Sequence, residues 1–64
     1  MNEYASFLQD TIASVERRCS RQRQLAYVLR EKADLQSRVL DALDILENHL
    51  FQLTIAYDKA VRLL

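Results

Sequence analysis

The sequence of 64 residues contains no glycine and no proline. Without glycine it cannot form the glycine-rich loops that bind phosphate, the Gly-x-Ser-x-Gly turn of hydrolases or a tight hairpin between strands. It also lacks the residues that usually end a helix. The single cysteine excludes an internal disulfide, and the single histidine argues against a zinc cluster. These absences leave helix as the expected structure.

Residue types with a high helix propensity dominate the composition. Leu, Ala, Arg, Gln, Glu, Lys and Met together supply 37 of the 64 residues, and the β-branched residues follow no alternating pattern. We therefore predict an all-α fold, with residues 1–64 as a single helical oligomerisation element. A lone core of this size seldom supplies more than ~3–5 kcal/mol. Oligomerisation, or a place inside a larger complex, would compensate for the small core.

Apolar residues recur as a heptad, the abcdefg repeat of coiled coils in which a and d are apolar. With a at Ala5 and d at Leu8, fifteen of the 19 a and d positions are apolar. After residue 38 the g positions are apolar too, which is typical of bundles with three or more helices. We expect Gln22, a polar exception at d, to lie where the seam is open to water. The predicted interface residues are Leu8, Ile12, Val15, Cys19, Leu29, Leu40, Leu43, Leu50, Leu53, Tyr57, Val61 and Leu64.

The unbroken heptad favours one long amphipathic helix, and a two-helix hairpin is the alternative. A hairpin would need a turn within 18–24 or 33–37, with Ser20 or Asp34 capping the second helix. Asn2 is predicted to cap the N-terminus of the first helix. Either arrangement would assemble further into a coiled coil or a helical bundle.

The charge pattern bears on the choice of partner. Net charge is zero, but residues 1–15 carry −2, residues 16–32 carry +4 and residues 33–64 carry −2. A parallel dimer in register would place Arg18 beside Arg23, which repel, whereas an antiparallel pairing could bring Arg23 to Asp44 of a second copy. We predict a homo-oligomer, preferably antiparallel, or a helical partner protein.

Nothing in the sequence forms a recognisable catalytic set, so we expect no enzymatic activity, no cofactor, no metal and no small-molecule substrate. We interpret Cys19 as a small core side chain, with a redox-sensitive thiol or a disulfide to a partner as the alternatives. His49 lacks a nucleophile and an orienting group, and we place it at the surface or the edge of the core. Without a Glu-x-x-His motif, four carboxylates indicate a solvated acidic face: Asp34, Asp41, Asp44 and Glu47.

A basic cluster is the clearest candidate for anion contact. It consists of Arg17, Arg18, Arg21 and Arg23. These could meet the phosphates of lipid headgroups or of nucleic acid. However, they fall at four different heptad positions, and no aromatic residue is interleaved for base stacking. We interpret the cluster as solvated surface, with contact to an anionic membrane or to nucleic acid as the alternative, and we do not favour nucleic acid.

The sequence shows no secretory signal and no transmembrane segment. No basic region precedes an apolar core at the start of the chain. The longest uncharged stretch, residues 48–57, is too short to span a bilayer as a helix. We expect a soluble, intracellular protein.

The first half of the chain resembles a helix of the BAR domain in sorting nexins. Residues 3–29 have an aromatic-rich start, then Arg and Gln, then a Leu-rich stretch: Glu3-Tyr4, Phe7-Leu8, Val15-Glu16-Arg17-Arg18, Gln22 and Leu25. A whole BAR domain has three long helices, so the resemblance implies that this chain is a fragment. It also implies antiparallel dimerisation and contact with curved anionic membranes, and it assigns no binding residues.

Overall fold

The computed structural model describes residues 2–63 and consists of two antiparallel helices that pack against each other. Helix α1 spans Glu3–Val28 and helix α2 spans Ala33–Arg62. The predicted all-α fold is confirmed, and residues 2–63 include no strand. Of the two architectures considered, the hairpin is observed, and the single long helix is wrong.

The turn that reverses the chain occupies residues 29–32, between the two segments in which we expected it. The N–H of Leu29 donates to the carbonyl of Leu25 (3.0 Å), and that of Lys32 donates to the carbonyl of Leu29 (2.8 Å). Leu29 has φ −92° and Lys32 has φ −120°, and no described residue has positive φ. Because every turn residue has negative φ, the chain reverses without glycine.

The two helix starts differ in how they are capped. The Asn2 side chain accepts a hydrogen bond from the N–H of Ala5, so the predicted cap of α1 is confirmed. Helix α2 begins after Lys32, which makes no capping hydrogen bond through its side chain. The predicted caps Ser20 and Asp34 are wrong: Ser20 lies inside α1, and Asp34 lies in the first turn of α2. There the carboxylate of Asp34 is favourable for the helix dipole.

The core is a narrow seam between the helices, arranged as two clusters. Near the open end of the hairpin, Ala5 and Leu8 of α1 pack with Ala60 of α2. Near the middle, Val15 and Cys19 pack with Leu43. Partly buried side chains complete both clusters: Leu46, Leu50, Leu53, Ala56 and Tyr57. Both clusters contain small residues, Ala5 and Ala60 in the first and Cys19 in the second, which allow the helices to approach closely.

The seam follows the predicted a and d positions in α1 but shifts to d and g in α2. Leu40 and Val61, at a in α2, are 43% and 40% exposed, whereas Leu46 and Leu53 at g pack against the core. The shift has a physical reason. In α2 the a positions include Glu47 and Thr54, whereas the g positions are uniformly apolar. Burying g instead of a leaves the polar side chains in water.

Two glutamines cross the seam near the turn. Gln36 Nε2 donates to the carbonyl of Ala26 (3.0 Å), and Gln22 Nε2 donates to the carbonyl of Val39 (3.4 Å). Both glutamines are half-buried. The expectation that Gln22 lies open to water is therefore wrong, because its amide is hydrogen-bonded to the opposite helix.

Candidate interaction surfaces

Most of the predicted interface residues pack within the hairpin. Nine of the twelve are buried or half-buried, Leu40 and Val61 are exposed, and Leu64 lies outside the described residues. The seam therefore joins α1 to α2 of the same chain. What remains for another molecule is the surface of the hairpin, which has two broad sides above and below the plane of the helices.

The four arginines of the basic cluster do not form one site. Arg23 lies on one broad side, where its Nη2 is 3.6 Å from Glu47 Oε2. Arg18 and Arg21 lie on the opposite broad side. Arg17 shares a shallow groove with Ser20 and Arg21 toward the outer edge of α1. The ion pair expected between Arg23 and a second copy thus has a counterpart inside the chain, one helical turn beyond Asp44.

One broad side, which we call the basic side, is centred on a groove of about 520 Å³ between the helices. Arg18 and Arg21 of α1 line it together with Ala42 and Ile45 of α2. Residues seven apart lie on the same face of a supercoiled helix, and we call such a series a heptad line. The heptad lines through these four residues therefore define the whole basic side. Within α1 and α2 their basic members are Arg18, Arg21, Arg38 and Lys59, and none of their members there is acidic. The same lines continue into the turn at Glu31 and Lys32, whose charges cancel.

The opposite broad side, which we call the acidic side, contains the Arg23–Glu47 ion pair. Four heptad lines make up this side: the two that run through Arg23 and Glu47, and the next line toward the outer edge of each helix. Together they contain four acidic and two basic residues, a net charge of −2: Glu16, Asp44, Glu47 and Asp58 against Arg23 and Arg30. The guanidinium of Arg30 covers the ring of Tyr27, 4.4 Å from its centroid. The hairpin therefore has two broad sides of opposite charge.

Large apolar side chains are exposed on both broad sides. Twelve of them are exposed among residues 2–63, and Ile45 in the middle of the basic side is 72% exposed. Seven lie on the basic side: Tyr4, Phe7, Leu25, Val28, Leu35, Ile45 and Leu63. Four lie on the acidic side: Tyr27, Leu40, Phe51 and Val61. Ile55 faces the outer edge of α2.

The residues considered for chemistry are dispersed. Cys19 is 1% exposed and packs between the helices, so its interpretation as a small core side chain is confirmed. That burial leaves no room for a disulfide to a partner while the hairpin is closed. His49 is exposed, as predicted. The carboxylates Asp34, Asp41, Asp44 and Glu47 are all exposed, and the part of the chain that is described holds no cluster of residues suited to a metal ion.

The division into two charged sides was missed at the level of the sequence, although a signal for it exists. The sum of charge along a segment of the chain combines residues from all faces of the helix. Sorting the same charges by heptad line separates them: the lines through Arg18 and Arg21 in α1, and through Arg38 in α2, contain no acidic residue. Assigning each line to a broad side requires knowing that α2 buries its d and g positions, and only the packed hairpin shows this.

Comparisons with known proteins provide no relative. No protein-family model, no curated protein and no solved structure matches the chain. The resemblance to a BAR-domain helix therefore stays a prediction. Its range, residues 3–29, covers α1 and the first residue of the turn. Within the described residues, neither helix is both long and apolar enough to cross a membrane.

Proposed function

We propose that the hairpin is a non-enzymatic protein–protein interaction element, an oligomerisation or scaffold unit that covers a broad side with further helices. The observation that carries the proposal is the apolar surface left exposed on both sides of a molecule with only a narrow core. Contiguous exposed apolar surface marks interaction sites in soluble proteins.

The surface area supports this proposal quantitatively. A compact monomer of 7.5 kDa exposes about 4,200 Å² by the usual scaling of area with mass. The hairpin exposes 5062 Å². The excess is close to the ~800 Å² that each partner covers in a standard protein interface. The elongated shape agrees, because the radius of gyration is 14.7 Å and a compact chain of this length has about 11 Å.

Sedimentation equilibrium of the purified chain tests the proposal. We expect a mass above that of the monomer, and we expect Ile45→Asp to reduce association because it replaces the large exposed apolar side chain in the middle of the basic side with a charge. Ile55→Asp on the outer edge of α2 is the matched control and should associate like the wild type. A wild-type chain that stays monomeric at every concentration would exclude self-association.

Contact with an anionic membrane is the second candidate, and the basic side favours it. Within the two helices, four basic residues and no acidic one share that side with the exposed aromatic rings of Tyr4 and Phe7. Co-sedimentation with phosphatidylcholine vesicles, with and without phosphatidylserine, tests it. We expect binding only with phosphatidylserine, and loss of that binding in Arg18→Glu/Arg21→Glu. Equal binding to both vesicle types would contradict an electrostatic contact.

A further inference from the structure

The two broad sides are complementary to each other, which identifies the occupant of the basic side. We infer that this occupant is a second copy of the chain, which presents its acidic side, so that copies stack front to back. The inference rests on the proposed function and specifies its partner and its geometry.

Charge separates this arrangement from a symmetric one. A symmetric dimer through the basic sides would bring Arg18 and Arg21 of one copy against the same basic side of the other, with no acidic residue to compensate. Stacking front to back instead places four basic residues over a side of net charge −2. Because the chain has zero net charge, long-range repulsion between copies is also absent.

The charged and apolar regions follow the same order along both sides. The middle of the basic side carries Arg18 and Arg21, and the middle of the acidic side carries Glu16, Asp44 and Glu47. The heptad lines and the antiparallel packing place all five near one level of the hairpin. Parallel copies in register, turn over turn, place α1 over α1, so Arg18 and Arg21 of one copy would lie over Glu16 of the next and diagonally opposite Asp44 on its α2. Arg23, on the same face of α1, is paired with Glu47.

Apolar side chains flank the charged middle on both sides. Copies in register place α1 over α1 and α2 over α2. Toward the turn, Leu25 and Val28 of the basic side would face Tyr27 on α1, and Leu35 would face Leu40 on α2. Toward the open end, Leu63 of the basic side would face Val61. All of these side chains are at least 40% exposed in the hairpin. The same stacking in register therefore pairs charge with opposite charge and apolar surface with apolar surface.

The dimensions also fit, since the two sides belong to one hairpin. The Cα atoms extend over 49 Å by 14 Å in the plane of the helices. Each broad side therefore approaches the ~800 Å² per partner of a standard interface. Because the two surfaces in contact differ, every copy added leaves one free side of each kind. Such heterologous contacts build open rows of subunits when the rotation between copies does not close a ring.

Two variants block one side each. Arg18→Glu/Arg21→Glu reverses the middle of the basic side, and Glu16→Lys/Asp44→Lys reverses the middle of the acidic side. All four positions are exposed, and none takes part in an ion pair seen within residues 2–63. Matched controls make the same change in net charge away from both charged middles. They are Arg17→Glu/Lys32→Glu, on the outer edge of α1 and in the turn, and Asp10→Lys/Asp41→Lys, on the outer edges of the two helices.

Analytical ultracentrifugation of each variant alone and of the mixture is the test, with circular dichroism to check that the helices are retained. We expect each side variant alone to be monomeric, with association at least ~10-fold weaker than in its control. We expect the mixture of the two side variants to assemble again, because intact sides of opposite charge meet at one junction and the two reversed middles, also of opposite charge, meet at the next. The mixture of the two controls should assemble as well.

Other outcomes separate the inference from the proposed function. If Glu16→Lys/Asp44→Lys alone assembles like its control, the acidic side is not used and front-to-back stacking is wrong. If the wild type assembles and both side variants do too, the proposed function stands and the inference falls. If the wild type and both controls are monomeric, self-association fails and the inference fails with it; binding to phosphatidylserine vesicles would then favour the membrane candidate.

Discussion

At the scale of single residues, the hydrogen bond from Gln36 is the clearest specific contact between the helices. Its amide reaches the carbonyl of Ala26, in the last turn of α1, where carbonyls lack partners within the helix. The N–H of Arg30 donates to Tyr27 instead of Ala26. Gln36 therefore satisfies an acceptor that the turn has left open, and it fixes the register of α2 against α1.

We predict that Gln36→Ala lowers the free energy of unfolding by ~0.5–1.5 kcal/mol, the usual net contribution of such a hydrogen bond. Urea unfolding followed by circular dichroism measures the change. Gln52→Ala is the matched control, because Gln52 is an exposed glutamine of the same helix. Equal stabilities for the two variants would show that the Gln36 contact contributes nothing.

Leu43 is the large residue on which the middle of the seam depends. It is 7% exposed and contacts the cluster of Val15 and Cys19. We predict that Leu43→Ala costs ~2–5 kcal/mol, because it leaves a cavity that two helices cannot close. For so small a core, that is enough to unfold the hairpin at room temperature. Ile55→Ala, on the outer edge of α2, should change the stability by less than ~0.5 kcal/mol. Circular dichroism and urea unfolding distinguish the two, and a folded Leu43→Ala of unchanged stability would contradict the packing.

At the scale of the elements, the sequence correctly predicts the features that depend on a periodic or local pattern, and it does not predict the position of the turn. The helical character, the cap at Asn2 and the seam of α1 through Val15 and Cys19 were predictable, because each depends on local spacing. The turn was not, since residues 29–32 have negative φ and need no special residue type. The choice of g over a in α2 was also hidden, because it depends on how α2 rotates against α1 after the turn.

Helix capping gives a prediction for each helix start. Asn2→Ala should lower the free energy of unfolding by ~0.5–2 kcal/mol, since the N–H of Ala5 loses its acceptor. Lys32→Asn should raise it by up to ~1 kcal/mol, because α2 has no side-chain cap and asparagine can accept a bond from its first turn. Thermal unfolding measures both. Shifts of the same sign in the two variants would contradict this account of the caps.

At the scale of the whole molecule, the hairpin is too thin to bury its own apolar residues. Two helices can cover only one stripe of each other, and here the stripes consist partly of alanine and a cysteine. The remaining large side chains lie on the broad sides. On the basic side they lie beside positive charges, and on the acidic side they lie beside a net negative charge. The same geometry therefore limits the stability of the isolated chain and leaves two exposed surfaces of complementary charge.

This link between stability and association gives the last prediction. If copies stack through their charged middles, folding and association are coupled, and the midpoint of thermal unfolding rises with protein concentration. Circular dichroism melts over about a hundredfold range of concentration measure this coupling. In 1 M NaCl the Debye length is ~3 Å, so exposed charges contribute less and the rise should be smaller. Arg18→Glu/Arg21→Glu should show no rise at low salt, and in 1 M NaCl it should approach the wild type because the reversed charges are screened. A midpoint independent of concentration in the wild type would mean that the hairpin folds without self-association, and that any partner of its broad sides is a different molecule.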